Sequence, residues 1–164
     1  MEEARCQIQL KARDNARTPM QWTPNANGGF TTASKPWMRV NDDFETCNAL
    51  LQVADANSVY NHWASVLQLR KRYKKVFVYG SFELVDPGNE TLFVYERAYN
   101  GSCALILLNW SSIEYQWEVD SKRKVLFHKG RIIQSNYGRS KVVLKDELLL
   151  VLQPWEALVL FHEA

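Results

Sequence analysis

Two arginines four residues apart, Arg13 and Arg17, stand in one polar stretch, ARDNARTPMQW, at residues 12–22. A guanidinium is a planar fork of donors that can bridge a carboxylate and a hydroxyl at once, which suits recognition of a hydroxyl-rich ligand. The alternative for both arginines is a loop-bracing salt bridge, and Arg13 has Asp14 beside it. Acid–base work would need paired carboxyls. The front half offers Asp14, Asp42, Asp43, Glu45 and Asp55. Asp55 precedes a helical pattern and reads as its cap. The others have no partner at a spacing that argues for paired work, so no catalytic residue is assigned. His62, His128 and His162 share no ligand spacing, and Cys6, Cys47 and Cys103 are odd in number and widely spaced. No metal, other cofactor or disulfide framework is expected, and the free thiols suggest a reducing, cytoplasmic setting.

The elements that must position this loop follow from periodicity. Residues 2–12 are good helix formers and predict a short helix. Residues 13–54 are loop-rich, with turn chemistry in TPNANGGF and no clear period in SKPWMRVNDDF. So long a stretch with little regular structure is usually a functional loop. Trp22 and Trp37 are expected to pack beneath it, and the tryptophans in general to serve the core. Val59, Trp63, Val66, Leu67 and Arg70 then recur at helical spacing. Arg70, Lys71, Arg72, Lys74 and Lys75 crowd the end of that helix and read as a solvated terminus that suits its dipole.

From Val76 the period becomes two. VFVYG, FELVD, TLFVYERA, CALILLNW, YQWEV, KVLFH, RIIQS, ELLLVLQP and EALVLFHE read as strands, with Asp86-Pro87-Gly88-Asn89 and Tyr99-Asn100-Gly101 as turns between them. Many short strands about ten residues apart predict an antiparallel sandwich. With 46% hydrophobic and 23% charged residues the chain is globular, and a net charge of +2 gives no electrostatic case for nucleic acid or an anionic membrane. The longest apolar run, around residues 104–108, is too short to cross a bilayer, and the acidic start does not read as a secretory signal. The sequons at Asn89, Asn100 and Asn109 are treated as chance matches.

RDNARTPMQW, followed by Asn27-Gly28-Gly29-Phe30 and KPWMRVN, resembles the α-glucosidase branch of the α-amylase family of glycoside hydrolases. SVYNHWASVLQLRK and LQPWEALVL extend the likeness over most of the chain. The resemblance implies an α+β chain: the last loop and helix of a (β/α)8 barrel over residues 1–75, then an antiparallel all-β sandwich over residues 76–164. A whole barrel needs about 250 residues and builds its active site from the loops at the C-terminal face. The family's catalytic carboxylates come from earlier strands, whose motifs this sequence lacks. The resemblance further implies that Arg17, and Arg13 as second choice, contact the innermost glucose of an α-glucoside oligosaccharide. It implies retaining hydrolysis of maltose- or isomaltose-type substrates by the full-length parent, and a missing barrel segment as the partner of this chain. The competing reading is a standalone sugar-binding or structural β-sandwich module.

Overall fold

The structure is a computed structural model that describes residues 2–11, 17–146 and 148–164. The chain forms two compact units, Met1–Ala64 and Ser65–Ala164.

The first unit opens with α1 (Glu2–Lys11), whose first turn carries Glu2 and Glu3, the charge sign that a helix N-terminus favours. A 3-10 turn at Ala26–Gly29, α2 (Ala49–Ala54) and the beginning of α3 (Val59–Arg72) follow. Local polar chemistry sets both helix starts. Asn48 is buried, and its side-chain oxygen accepts the Leu51 amide at 3.0 Å, capping α2. The cap of α3 is Ser58 and not Asp55. Ser58 Oγ accepts the Asn61 amide at 3.2 Å, and its carbonyl accepts His62 N at 2.9 Å. Asp55 instead closes α2, its backbone N–H donating to Leu51 O, and its carboxylate accepts Asn57 N at 2.9 Å. The expected cap is displaced because α2, in a stretch read as loop, ends on Asp55 and forces a turn before α3 can begin. Asn61 then donates to the carbonyls of Gln52, Val53 and Asp55, which satisfies acceptors left open at the end of α2.

The second unit contains the rest of α3, α4 (Lys74–Phe77), α5 (Lys124–Lys129) and eight strands. The strands are β1 (Ser81–Leu84), β2 (Leu92–Tyr99), β3 (Ser102–Asn109), β4 (Tyr115–Glu118), β5 (Arg131–Ser135), β6 (Leu144–Lys145), β7 (Leu149–Leu152) and β8 (Ala157–His162). They form two antiparallel sheets, ordered β1-β2-β3-β8-β5 and β4-β7-β6. Leu92, Val94, Leu105, Leu107, Leu158 and Leu160 from the larger sheet join Trp117, Leu150 and Leu152 from the smaller in one buried cluster. A second cluster occupies the opposite face of the larger sheet, where Val76 of α4 and the flanking Tyr73 cover Ala104, Ile106 and Phe161. Central strand β3 is therefore covered on both sides, and Ala104, Leu105, Ile106 and Leu107 are buried in succession.

Two expected strands are helical turns. The Val76–Phe77 part of VFVYG lies in α4, and KVLFH lies in α5. In each case tertiary burial overrides propensity: Val76 seats on the sheet, and Leu126 and Phe127 join the main cluster while Val125 faces solvent. The tryptophans also depart from expectation. Trp117 is 5% exposed, whereas Trp22, Trp37, Trp63, Trp110 and Trp155 are 51–80% exposed. No helix of the described residues is long and apolar enough to cross a membrane.

Candidate functional site

The loop after α1 is held by backbone geometry before any side chain acts. Asn27, Gly28 and Gly29 are consecutive left-handed residues, with φ of 56°, 64° and 67°. Gly28 is buried, and a Cβ there would sit 3.3 Å from Val40 Cγ1 and 3.5 Å from Gln21 Cα, so glycine serves both conformation and space. Its carbonyl accepts the amides of Trp22 and Thr23 at 2.7 and 3.0 Å. Asn27 tolerates the left-handed region and uses its amide to reach Ala33 O at 2.8 Å.

Gln21 joins this turn to α2. Its carbonyl accepts Ala49 N at 2.9 Å, and its side-chain amide donates to Asp43 Oδ1 at 2.9 Å and to Cys47 O at 2.8 Å. The neighbouring Trp22 carbonyl accepts Leu50 N at 3.0 Å. Gln21 was not among the residues singled out from sequence, because its partners lie more than twenty positions away.

Arg17 is exposed at the start of the described loop, two positions before buried Pro19. Arg13 and Asp14 lie outside the described residues. Of the remaining front-half carboxylates, Asp42 pairs with Arg39, Asp43 holds Gln21 and Asp55 caps a turn, while Glu45 is exposed. Trp22 and Trp37 do not pack beneath the loop; they are 51% and 80% exposed. Among the described residues no three His, Cys, Asp or Glu side chains converge to hold a metal.

The Alpha-amylase family model, for the α-amylase catalytic domain, matches residues 1–80. An α-glucosidase of Schizosaccharomyces pombe is 42% identical over 112 residues, covering 68% of this chain and 19% of that protein. An oligo-1,6-glucosidase of Halalkalibacterium halodurans is 35% identical over 134 residues, covering 82% of this chain and 23% of that protein. The chain belongs to the α-amylase family of glycoside hydrolases. Among solved structures, the trehalulose synthase MutB of Pseudomonas mesoacidophila MX-45 superposes with a TM-score of 0.80 at 28% identity, over 98% of this chain and 28% of that one. This α-amylase-family chain thus spans about a quarter of the length of these relatives.

Its second unit holds two charged clusters that no sequence spacing announced. Arg123, with 7% of its side chain exposed, donates to Glu96 at 3.0 Å and Glu83 at 2.9 Å, and pairs with Asp120. Burial works to lower its pKa, but hydrogen bonds to Asp120 and Glu83 outweigh it and the net direction is upward. Burial also raises the Cys103 thiol, with Glu96 adding to the rise and Arg123 opposing it. The other cluster locks the turn in LQPWEALVL. Glu156 is fully buried; it accepts Gln153 N at 2.7 Å and Arg139 Nη2 at 2.8 Å, with Arg139 Nε a further 2.6 Å ion-pair contact. Trp155 can then sit at φ 56° with its ring outward. The sequon asparagines Asn109 and Asn89 are structural: Asn109 donates to Ile113 O and Gln153 O, and Asn89 to Asp86 and Tyr115.

Proposed function

We propose that residues 1–75 are the last loop and helix of a (β/α)8 catalytic barrel, and residues 76–164 the β-sandwich that follows it, in an α-glucosidase of a reducing, cytoplasmic compartment. The parent would hydrolyse terminal α-glucosidic bonds of maltose- and isomaltose-type oligosaccharides with retention of configuration. The observation that carries this reading is the 42% identity to an α-glucosidase, joined to the catalytic-domain match over residues 1–80. Two antiparallel sheets sharing one buried cluster support the sandwich.

Retention requires a nucleophile and an acid/base about 5–5.5 Å apart. In the described loop Asp42, Asp43 and Asp55 are engaged in an ion pair, a glutamine bond and a turn, which suits a loop that recognises sugar and leaves the chemistry to other strands. Arg17 is the first candidate for the innermost glucose and Arg13 the second. The barrel segment that supplies the carboxyls is the partner this chain requires.

Two assays test the reading together. The purified chain should not turn over maltose, isomaltose or a nitrophenyl α-glucoside, because its sequence lacks the family motifs that carry the nucleophile and the acid/base. Grafted in place of the matching segment of the S. pombe α-glucosidase, it should support hydrolysis. Turnover by the isolated chain that vanishes on substituting one of its own carboxylates, or a folded but inactive graft, would overturn it. A second reading, a sugar-binding module, is favoured by one feature: Phe82, Tyr95 and Phe93 form a row of rings on the larger sheet, with centroids 5.3 and 5.2 Å apart and both phenylalanines exposed. That reading requires the isolated chain to bind a maltooligosaccharide and the graft to fail.

A further inference from the structure

The cation run RKRYKK does more than terminate α3. Arg72, Lys74 and Lys75 line a groove of about 630 Å³ in the second unit, with the tyrosine rings of Tyr73, Tyr79 and Tyr99. Two of these cations lie over tyrosine rings. The Arg72 guanidinium lies 5.4 Å from the Tyr73 ring centre, and Lys74 Nζ lies 5.3 Å from that of Tyr79. Among the described residues, Arg72, Lys74 and Lys75 form no ion pair with any carboxylate. Glu163, which also lines the groove, sits 3.8 Å from Arg131, and Arg131 donates to Tyr73 at 3.0 Å. A second hollow of about 390 Å³ adjoins the first through Arg72 and Tyr73, and Arg131 lines it.

Arg72, Lys74 and Lys75 are exposed and border a concavity lined by aromatic rings and hydroxyl groups, on a chain whose net charge is only +2. Concentrating positive charge in a hollow with low-dielectric walls raises the local potential for anions. Guanidinium and ammonium groups together match the oxygens of a phosphate, the first as a fork and the second as a point charge.

We propose that this groove binds a phosphate dianion, carried either by inorganic phosphate or by a phosphate monoester whose sugar lies on the tyrosine rings. The site shares no residue with the loop that carries Arg17 and does not depend on the glucosidase reading. Titration calorimetry on the whole chain at fixed ionic strength, with inorganic phosphate, glucose 6-phosphate and glucose, separates the cases. Saturable binding of both phosphates and none of glucose is expected, weakening as salt is raised. Tighter binding of glucose 6-phosphate assigns the monoester, and equal affinity assigns free phosphate. Arg72→Gln with Lys74→Gln should weaken binding at least roughly tenfold, since hydrogen bonds to charged groups are lost, while Lys141→Gln, an exposed cation elsewhere, should leave it unchanged. Circular dichroism confirms that the variants fold. Phosphate heats no larger than those of glucose, or a folded double variant that binds like the parent, would overturn the proposal.

Discussion

Arg17 illustrates how much a single guanidinium can be asked to do. It stands exposed just ahead of a turn whose backbone is fixed by three left-handed residues and by the Gly28 carbonyl. A loop so braced can present a side chain without relying on that side chain for its own shape. In the grafted α-glucosidase, Arg17→Ala should therefore leave the melting temperature nearly unchanged. It should reduce kcat/KM by about 30- to 1,000-fold, the equivalent of roughly 2–4 kcal/mol for a charged contact that tightens in the transition state. Arg17→Lys should recover only part of this, because an ammonium cannot hold two acceptors in one plane. Steady-state kinetics beside thermal melts decide the matter. Near-parental kinetics for Arg17→Ala with a large loss for Arg13→Ala would exchange the two roles.

The junction between α2 and α3 shows how an element boundary is set by several short polar side chains acting together. Ser58 is buried, its hydroxyl donates to Gln52 O at 2.5 Å, and it accepts from the first turn of α3. The Asp55 carboxylate, by contrast, serves an exposed turn. Ser58→Ala should cost about 1 kcal/mol or more, as loss of a helix cap with a buried partner left behind, and Asp55→Ala clearly less. Urea melts of both variants check the order, and equal losses would return the cap to Asp55. The same helix carries Val59, Tyr60, Trp63 and Leu67 with more than half of each side chain in water. Substituting Trp63→Lys should then cost less than about 0.5 kcal/mol, as at other exposed positions. It should also reduce self-association in sedimentation velocity, because exposed apolar faces associate. A large loss of stability would mean that Trp63 packs against its own chain.

At the scale of the whole molecule, alkaline pH should loosen the second unit. The Cys103 thiol is raised from 9.0 and the Tyr95 hydroxyl from 10.0, each chiefly by burial. Glu96 adds to the first shift and Arg123 opposes it; Arg97 and Arg70 oppose the second. A raised pKa means that the folded chain keeps protons that the unfolded chain has lost. Stability is full below the unfolded values and falls as pH rises through them and toward the folded ones. The melting temperature should decline from pH 9 upward, and Cys103→Ser should flatten the first part of that decline. An unchanged slope in Cys103→Ser would remove the thiol from this account.

The sequence by itself determined the turn chemistry of TPNANGGF and most of the periodic elements. Asn27-Gly28-Gly29 announces left-handed backbone, the recurrence from Val59 to Arg70 announces a helix, and the period-two runs mark strands in β1–β5, β7 and β8. These signals are local: they depend on which side chain a backbone conformation admits and on which face of an element is apolar. Tertiary structure decided the rest. KVLFH satisfies a strand pattern, yet it becomes α5 because Leu126 and Phe127 find the main cluster from a helical turn. Trp22 and Trp37 look like core residues by type, yet the loop presents them to solvent. Arg123 gathers Glu83, Glu96 and Asp120 from as far as forty positions away, and Gln21 finds Asp43 and Cys47 across the loop. No spacing rule in one dimension encodes such meetings, because they depend on chain segments folding back on each other in space, and burial then fixes which pairings persist.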